Sequence, residues 1–192
     1  MITFVALSYL CLTVCWMALA QRHCNTRSRN FGVGFLMLAL GLVFRSLSTE
    51  GIFRLLDLVA LGAAGIFFYM SAVRRPLEKT SIVLLTSAIL VSSVIGAFFT
   101  DNIRSVLMPM TFCVCLCLVG SGIKRGDTFI SMALYLNAGV IFMTPWFYAS
   151  DILAELKIIS AMILMVAVVS LYVRHEKRPE KREEKNVEIR ER

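Results

Sequence analysis

IISAMILMVAVVSLYVRHEKRPEKREEKNVEIRER, residues 158–192, changes character at one point. Up to Val173 it is apolar apart from two serines and a tyrosine, and from Arg174 onward it is almost wholly charged. The last nineteen residues hold six of the 13 acids and eight of the 20 bases, which leaves nineteen charges for the other 173 residues. A body so poor in charge has too little polar surface to cover itself in water, and it fits a bilayer. The mean hydropathy of +0.75 agrees. The pI near 9.3 then reports membrane topology, and no nucleic-acid partner is expected.

Working back from Val173, about 20 apolar residues are needed to cross roughly 30 Å of hydrocarbon. Seven segments qualify: 2–20, 31–49, 52–73, 81–100, 105–123, 127–149 and 152–173. The fold expected is all-α, a multi-pass bundle of seven membrane helices over 1–173, followed by a charged cytoplasmic tail at 174–192. That tail is almost free of apolar residues and carries Pro179, so disorder or a frayed extension of span seven is expected.

Lysine and arginine set the orientation. Assigning alternate connections to one face gives it Arg22, Arg27, Arg29, Arg74, Arg75, Lys79, Lys124, Arg125 and the tail's eight bases. The opposite face receives Arg45, Arg54, Arg104 and Lys157. Sixteen against four places the N-terminus outside and the C-terminus in the cytoplasm. Residues 1–20 lack a positive n-region, so they read as a span despite the cleavage-like ALAQ at 18–21. Trp16 and Tyr172 are expected at inner interfaces, with Phe98, Phe99, Trp146 and Tyr148 at outer ones. The partners implied are the bilayer, anionic headgroups at the cytoplasmic face, and a membrane-protein partner or second copy. Short connections and the absence of Asn-x-Ser/Thr sites suit a bacterial inner membrane.

A shift of 98 residues superposes span two on span six and span three on span seven. It aligns Phe31 with Phe129, Gly41 with Gly139, Phe44 with Phe142, Leu55 with Leu153, and Asp57 with Glu155. Because the shift covers four helices it preserves direction, so spans 1–3 and 5–7 read as parallel repeats around a lone fourth helix. The 3+1+3 topology resembles that of small SWEET-type sugar transporters, none of whose signature residues occurs here. In span four, Ala88, Ser92, Gly96 and Thr100 form a small-residue face for close helix packing.

MPMTFCVCLCLVG, residues 108–120, raises the question of a soft-metal site. At 100° per residue Met110, Cys113 and Cys117 share a face, while Met108 and Cys115 point away. Cys11 and Cys15 repeat the four-residue spacing in span one. Four thiols would converge only if spans one and five were neighbours. Free cysteine is also an ordinary small hydrophobe, and no span contains a histidine, so neither metal nor cofactor is expected.

Charge inside a span costs roughly 2.5–3.5 kcal/mol per residue at the helix centre and needs a reason. Arg54 and Asp57 lie near the outer end of span three, Glu155 and Lys157 at matching depth in span seven, and Asn137 near the middle of span six. Two roles follow. Either these are mouth charges that snorkel and pair, or they line an outward-facing cavity with Asn137 at its floor. The cavity reading makes the protein a transporter or channel-like bundle for a small polar or charged solute or a lipid headgroup. The other reading makes it a non-catalytic interaction protein, such as a complex subunit, sensor or exclusion factor. Catalysis is not expected: the only histidines, His23 and His175, sit at the cytoplasmic boundary, and no protease or phosphate-binding motif occurs.

The orientation has a direct check. In a cysteine-free background, a cysteine placed in the tail should react with a membrane-impermeant maleimide only after permeabilisation. One placed at position 2 should react in intact cells. Tail labelling in intact cells contradicts the assignment.

Overall fold

The chain's computed structural model describes residues 1–23, 25–47, 50–72, 103–123, 127–147 and 150–190. Among these it is all-helical, with α1 at Ile2–His23, α2 at Thr26–Leu47, α3 at Gly51–Ala72, α4 at Ile103–Ile123, α5 at Thr128–Phe142 and α6 at Asp151–Arg190. The expected fourth span, 81–100, with its small-residue face, lies outside the described residues. Four of these helices carry stretches long and apolar enough to cross a membrane: Ile2–Arg22, Thr26–Leu47, Gly51–Ala72 and Asp151–Arg174. Met110–Gly122 and Thr128–Phe142 are shorter apolar helices.

Local chemistry moves several helix ends away from the expected bounds. α2 starts at Thr26 because the Asn25 side chain accepts the Arg27 N–H at 3.0 Å and caps the first turn. The polar segment TRSRN is thereby drawn into the helix. Gly51, at φ +57°, makes the left-handed step that opens α3. Asp127 caps α5, its Oδ1 accepting from Phe129 N at 3.0 Å and Ile130 N at 3.3 Å. The expected sixth span stops early, at Phe142, and turns continue through Phe147. Pro145 explains the stop: it has no N–H to donate and disfavours helical backbone at the residue before it. α6 runs through Tyr172 without a break and stays helical to Arg190.

The helices form a closed ring. α1 packs on α2, α2 on α3, α3 on α4, α4 on α5 and α5 on α6, and α6 returns to α1. Side-chain pairs fix their directions. Trp16 with Phe31 and Tyr9 with Phe35 make α1 and α2 antiparallel. Phe35 with Phe68 and Arg45 with Asp57 do the same for α2 and α3. Gly65 against Val114 and Ser71 against Ser121 make α3 and α4 parallel neighbours. α6 runs parallel to α1, with Ile2 and Val5 near Leu153 and Lys157 at one end and Arg22 over Tyr172 at the other.

Each helix turns one face inward. On α1 the inward face is Val5, Tyr9, Leu12, Trp16 and Leu19, whereas Phe4, Leu7 and Val14 are exposed. On α6, Leu153, Ser160, Ala161, Leu164, Ala167 and Val168 are buried while Ile152, Ile159, Met162, Val166 and Val169 face out. An outer surface built from such side chains is what an integral membrane protein presents to lipid.

The core towards the basic end is aromatic. Trp16 stacks on Phe31 with ring centroids 4.6 Å apart, and Phe35 meets Phe68 edge-on at 5.0 Å. Trp16 is fully buried in this column, so it does not serve at the interface as the sequence suggested. Its stacking partner lies five residues into α2, and only the antiparallel register brings the two together. Gly34 makes room for the column, since a Cβ there would lie 2.6 Å from Phe68 Cε1. Gly34→Ala should therefore destabilise the fold by about 1–3 kcal/mol through overpacking, read as a lower melting temperature in detergent. An unchanged melting temperature would mean that Phe68 is not held there.

Candidate functional site

Near the end where α1 begins, the helices line a partly open cavity of about 40 Å³, room for roughly three water-sized spheres. All six helices or their flanking turns reach it. Leu38, Gly41, Leu42 and Arg45 contribute from α2 at successive helical turns. Asp57 and Leu61 enter from α3, Leu107 and Thr111 from α4, and Lys157 from α6. A larger vestibule of about 140 Å³ lies beside it, lined by Ile2, Val5, Ser150, Leu153 and Ala154. Leu42, Arg45, Thr144 and Lys157 line both spaces and so form the partition between them.

The central contact is an ion pair. Arg45 donates to Asp57 Oδ2 from Nε at 2.8 Å and from Nη2 at 2.5 Å. Both side chains are nearly sealed, at 11% and 7% exposure. In a low-dielectric interior, taking a carboxylate out of water costs several kcal/mol, and only a well-placed partner offsets that cost. Gly41 lets the carboxylate lie close against α2: a Cβ at that position would sit 2.9 Å from Asp57 Oδ1.

Lys157 occupies a core-facing position, in register with buried Leu153, Ser160, Ala161 and Leu164. Among the described residues, its charged neighbours are Arg45 and Asp57. Tyr9 also lines the cavity, is 3% exposed, and its hydroxyl makes no hydrogen bond among the described residues. Thr111 is buried and donates back to Leu107 O at 2.7 Å, which leaves its oxygen lone pairs available.

Of the residues singled out in the sequence, Asp57 and Lys157 come together around this cavity. Asn137 is fully buried but does not line it; its Nδ2 reaches Ser160 Oγ at 3.3 Å, tying α5 to α6. Arg54, one turn from Asp57, is partly exposed and is not the residue that bonds the carboxylate. Glu155 is exposed, on the same outward side as Ile159 and Met162. Arg45 is the addition. The sequence marks it as the end of span two, and its signal was a base facing an acid twelve residues on across a short connection.

The sulfur residues are spread around the fold. Cys11 and Cys113 are exposed, Cys15 and Cys117 are partly buried, and Met110 is buried. The ring places α1 between α2 and α6, so the pairs Cys11/Cys15 and Cys113/Cys117 sit on helices that do not pack together. Cys115 is the inward one, with its Sγ 3.1 Å from Ala138 O across the α4–α5 contact. Compared with known proteins, the chain matches no family model, no curated protein and no solved structure.

Removing one member of a sealed ion pair leaves a buried charge without its partner. Asp57→Leu should cost about 3–5 kcal/mol of stability. Glu155→Gln, on the outer surface, should stay within about 0.5 kcal/mol. Thermal unfolding of the purified variants checks both, and equal losses would contradict the burial assigned to Asp57.

Proposed function

We propose that this chain is a small non-catalytic carrier that takes a polar or charged solute into the space around Arg45, Asp57 and Lys157. The observation that carries the reading is a cavity between the helices, touched by all six described helices, in which Arg45, Asp57 and Lys157 are set among apolar side chains. Charged residues inside a membrane bundle are costly, and they mark solute and ion paths. Around the rest of the axis Val114, Leu118, Leu134 and Leu164 are fully buried, as are Trp16 and Phe68. The axis is therefore filled towards the basic end, and Leu42, Arg45, Thr144 and Lys157 lie between the cavity and the vestibule.

The architecture we propose has seven spans with the N-terminus outside, in a bacterial inner membrane, and two parallel three-helix repeats. The packing order supports the repeats. α1 on α2 and α2 on α3 correspond to α4 on α5 and α5 on α6, while α3 on α4 corresponds to α6 on α1. Carriers built from parallel repeats place their solute between the two halves, where this cavity lies.

A second reading has its own support. α6 is 40 residues long, which at 1.5 Å per residue is about 60 Å, twice the hydrocarbon thickness. A helix projecting that far is suited to docking a partner protein.

Reconstituted liposomes separate the two. A carrier should move at least one of sodium, chloride or glycine. That flux should fall roughly tenfold or more in Asp57→Leu and survive deletion of residues 179–192. Absence of flux for all three, with activity in cells lost on the tail deletion, overturns the carrier in favour of the interaction protein.

A further inference from the structure

Beyond Arg174, α6 continues as a helix to Arg190, and its charged positions are sorted by side. At 100° per residue, Arg174, Arg178, Lys181, Arg182 and Lys185 fall within an arc of about 100°. Glu176, Glu180, Glu183 and Glu184 fall within an equal arc on the far side. Register carries both arcs back into the bundle. The basic arc continues the line of buried Ser160, Leu164 and Ala167, and the acidic arc continues the line of exposed Met162, Val166, Val169 and Val173. Arg174 marks the direction, with its Nη1 3.6 Å from Asp127 Oδ2 at the start of α5.

A helix that only has to stand in water is stabilised by opposite charges four residues apart. Between 174 and 190 no such pair occurs at that spacing. The charges there are alike, as in Lys177/Lys181, Glu180/Glu184, Lys181/Lys185 and Glu184/Glu188. Each like pair weakens an isolated helix, and Pro179 removes a backbone hydrogen bond as well. Sorted charge thus works against the helix alone and is of use only against a surface of the opposite sign. The described residues at this end do not supply one. They hold a single acid, Asp127, which already faces Arg174, together with Arg22, Arg27 and Arg29.

We infer that the bundle-facing side of the α6 extension is a docking surface for an acidic segment of a water-soluble protein. From Arg174 to Lys185 the basic positions extend about 17 Å at 1.5 Å per residue, so a segment with a carboxylate at each turn matches them. Anionic lipid is the poorer occupant, because the side of α6 that faces lipid continues into the acidic arc. A second copy lying alongside in the same membrane would meet that acidic side too, since the other side is covered by α5 within the bundle. The inference rests on the reading of α6 as a docking helix, names its surface and its partner's chemistry, and is independent of the carrier.

The test is binding of a fluorescein-labelled oligoglutamate peptide to the full-length protein in phosphatidylcholine nanodiscs, for the parent chain and for the double exchange Lys181→Glu with Glu184→Lys. The exchange keeps composition and net charge, puts an acid into the basic arc, and turns the four like pairs named above into opposite ones. The helix itself is thereby strengthened, so lost binding cannot come from lost structure. Saturable binding by the parent should weaken roughly tenfold in the exchanged protein, whereas Glu180→Gln, on the far side, should leave it within about twofold. Equal binding by parent and exchanged protein, or no saturable binding by the parent, overturns the acidic partner. Binding of phosphatidylserine vesicles or poly-uridylate that the exchange weakens, with oligoglutamate unbound, overturns it in favour of that polyanion. Photo-crosslinking in cells separates this failure from that of the docking helix. Benzoylphenylalanine at position 178 or 182 should yield protein adducts. Adducts from 180 and 183 alone overturn the basic surface and leave α6 a docking helix, and none from either side removes both.

Discussion

A carboxylate and a guanidinium cannot be left facing hydrocarbon, and this constraint organises the fold. Arg45 ends α2 and Asp57 lies two turns into α3, and the short connection between these helices lets them close on each other at hydrogen-bonding distance. Once paired, the two charges must point inward, and the rest of α2 and α3 is thereby oriented. Gly41 faces the carboxylate, Gly34 faces Phe68, and the opposite faces are left for lipid. Moving the pair outward would expose both charges to the bilayer and swing the aromatic column out of the core.

That orientation produces a bundle with two unlike halves. Towards the basic end the axis is filled by aromatic and branched side chains, and the helices are tied by short polar contacts. Ser121 Oγ donates to Phe68 O at 3.2 Å, and Ser131 Oγ donates to Gly122 O at 2.5 Å. Arg174 approaches Asp127 at 3.6 Å, an exposed pair that holds α6 near the start of α5 but adds little stability. Towards the other end the packing opens around Lys157, Arg45 and Asp57, with Thr144 and Tyr9 among the residues that line the space. Dense packing towards one end and a small space holding charged side chains towards the other make the bundle asymmetric along its axis.

Much of this was legible in the residues. The apolar runs ending at charged clusters gave the helices, and Asp57 and Lys157 stood out because charge within a span demands a partner. The partner itself was not legible. Arg54 precedes Asp57 by three residues on the same helix and looked like the natural mate, but Arg45 holds the carboxylate because the α2–α3 register brings it face to face. Glu155 and Lys157 differ by two positions, about 200° on a helix, so one faces out and the other in. Depth alone could not separate them. Trp16 reads as an interfacial tryptophan by its position near a span end, and only the stacking on Phe31 shows why it is buried. Cys115 is inward while Cys113 is exposed, a choice fixed by the close approach of α4 to α5 at Ala138.

The measurement that bears most directly on this picture is a double-mutant cycle on the ion pair. Arg45→Met, Asp57→Leu and the double variant would be compared by unfolding in detergent. A pair sealed in the bundle predicts that each single change is costly and that the double variant recovers most of the loss, with a coupling energy of about 2 kcal/mol or more. Additive losses, with coupling near zero, would mean that Arg45 and Asp57 do not meet inside the bundle, and the central cavity would lose its organising contact.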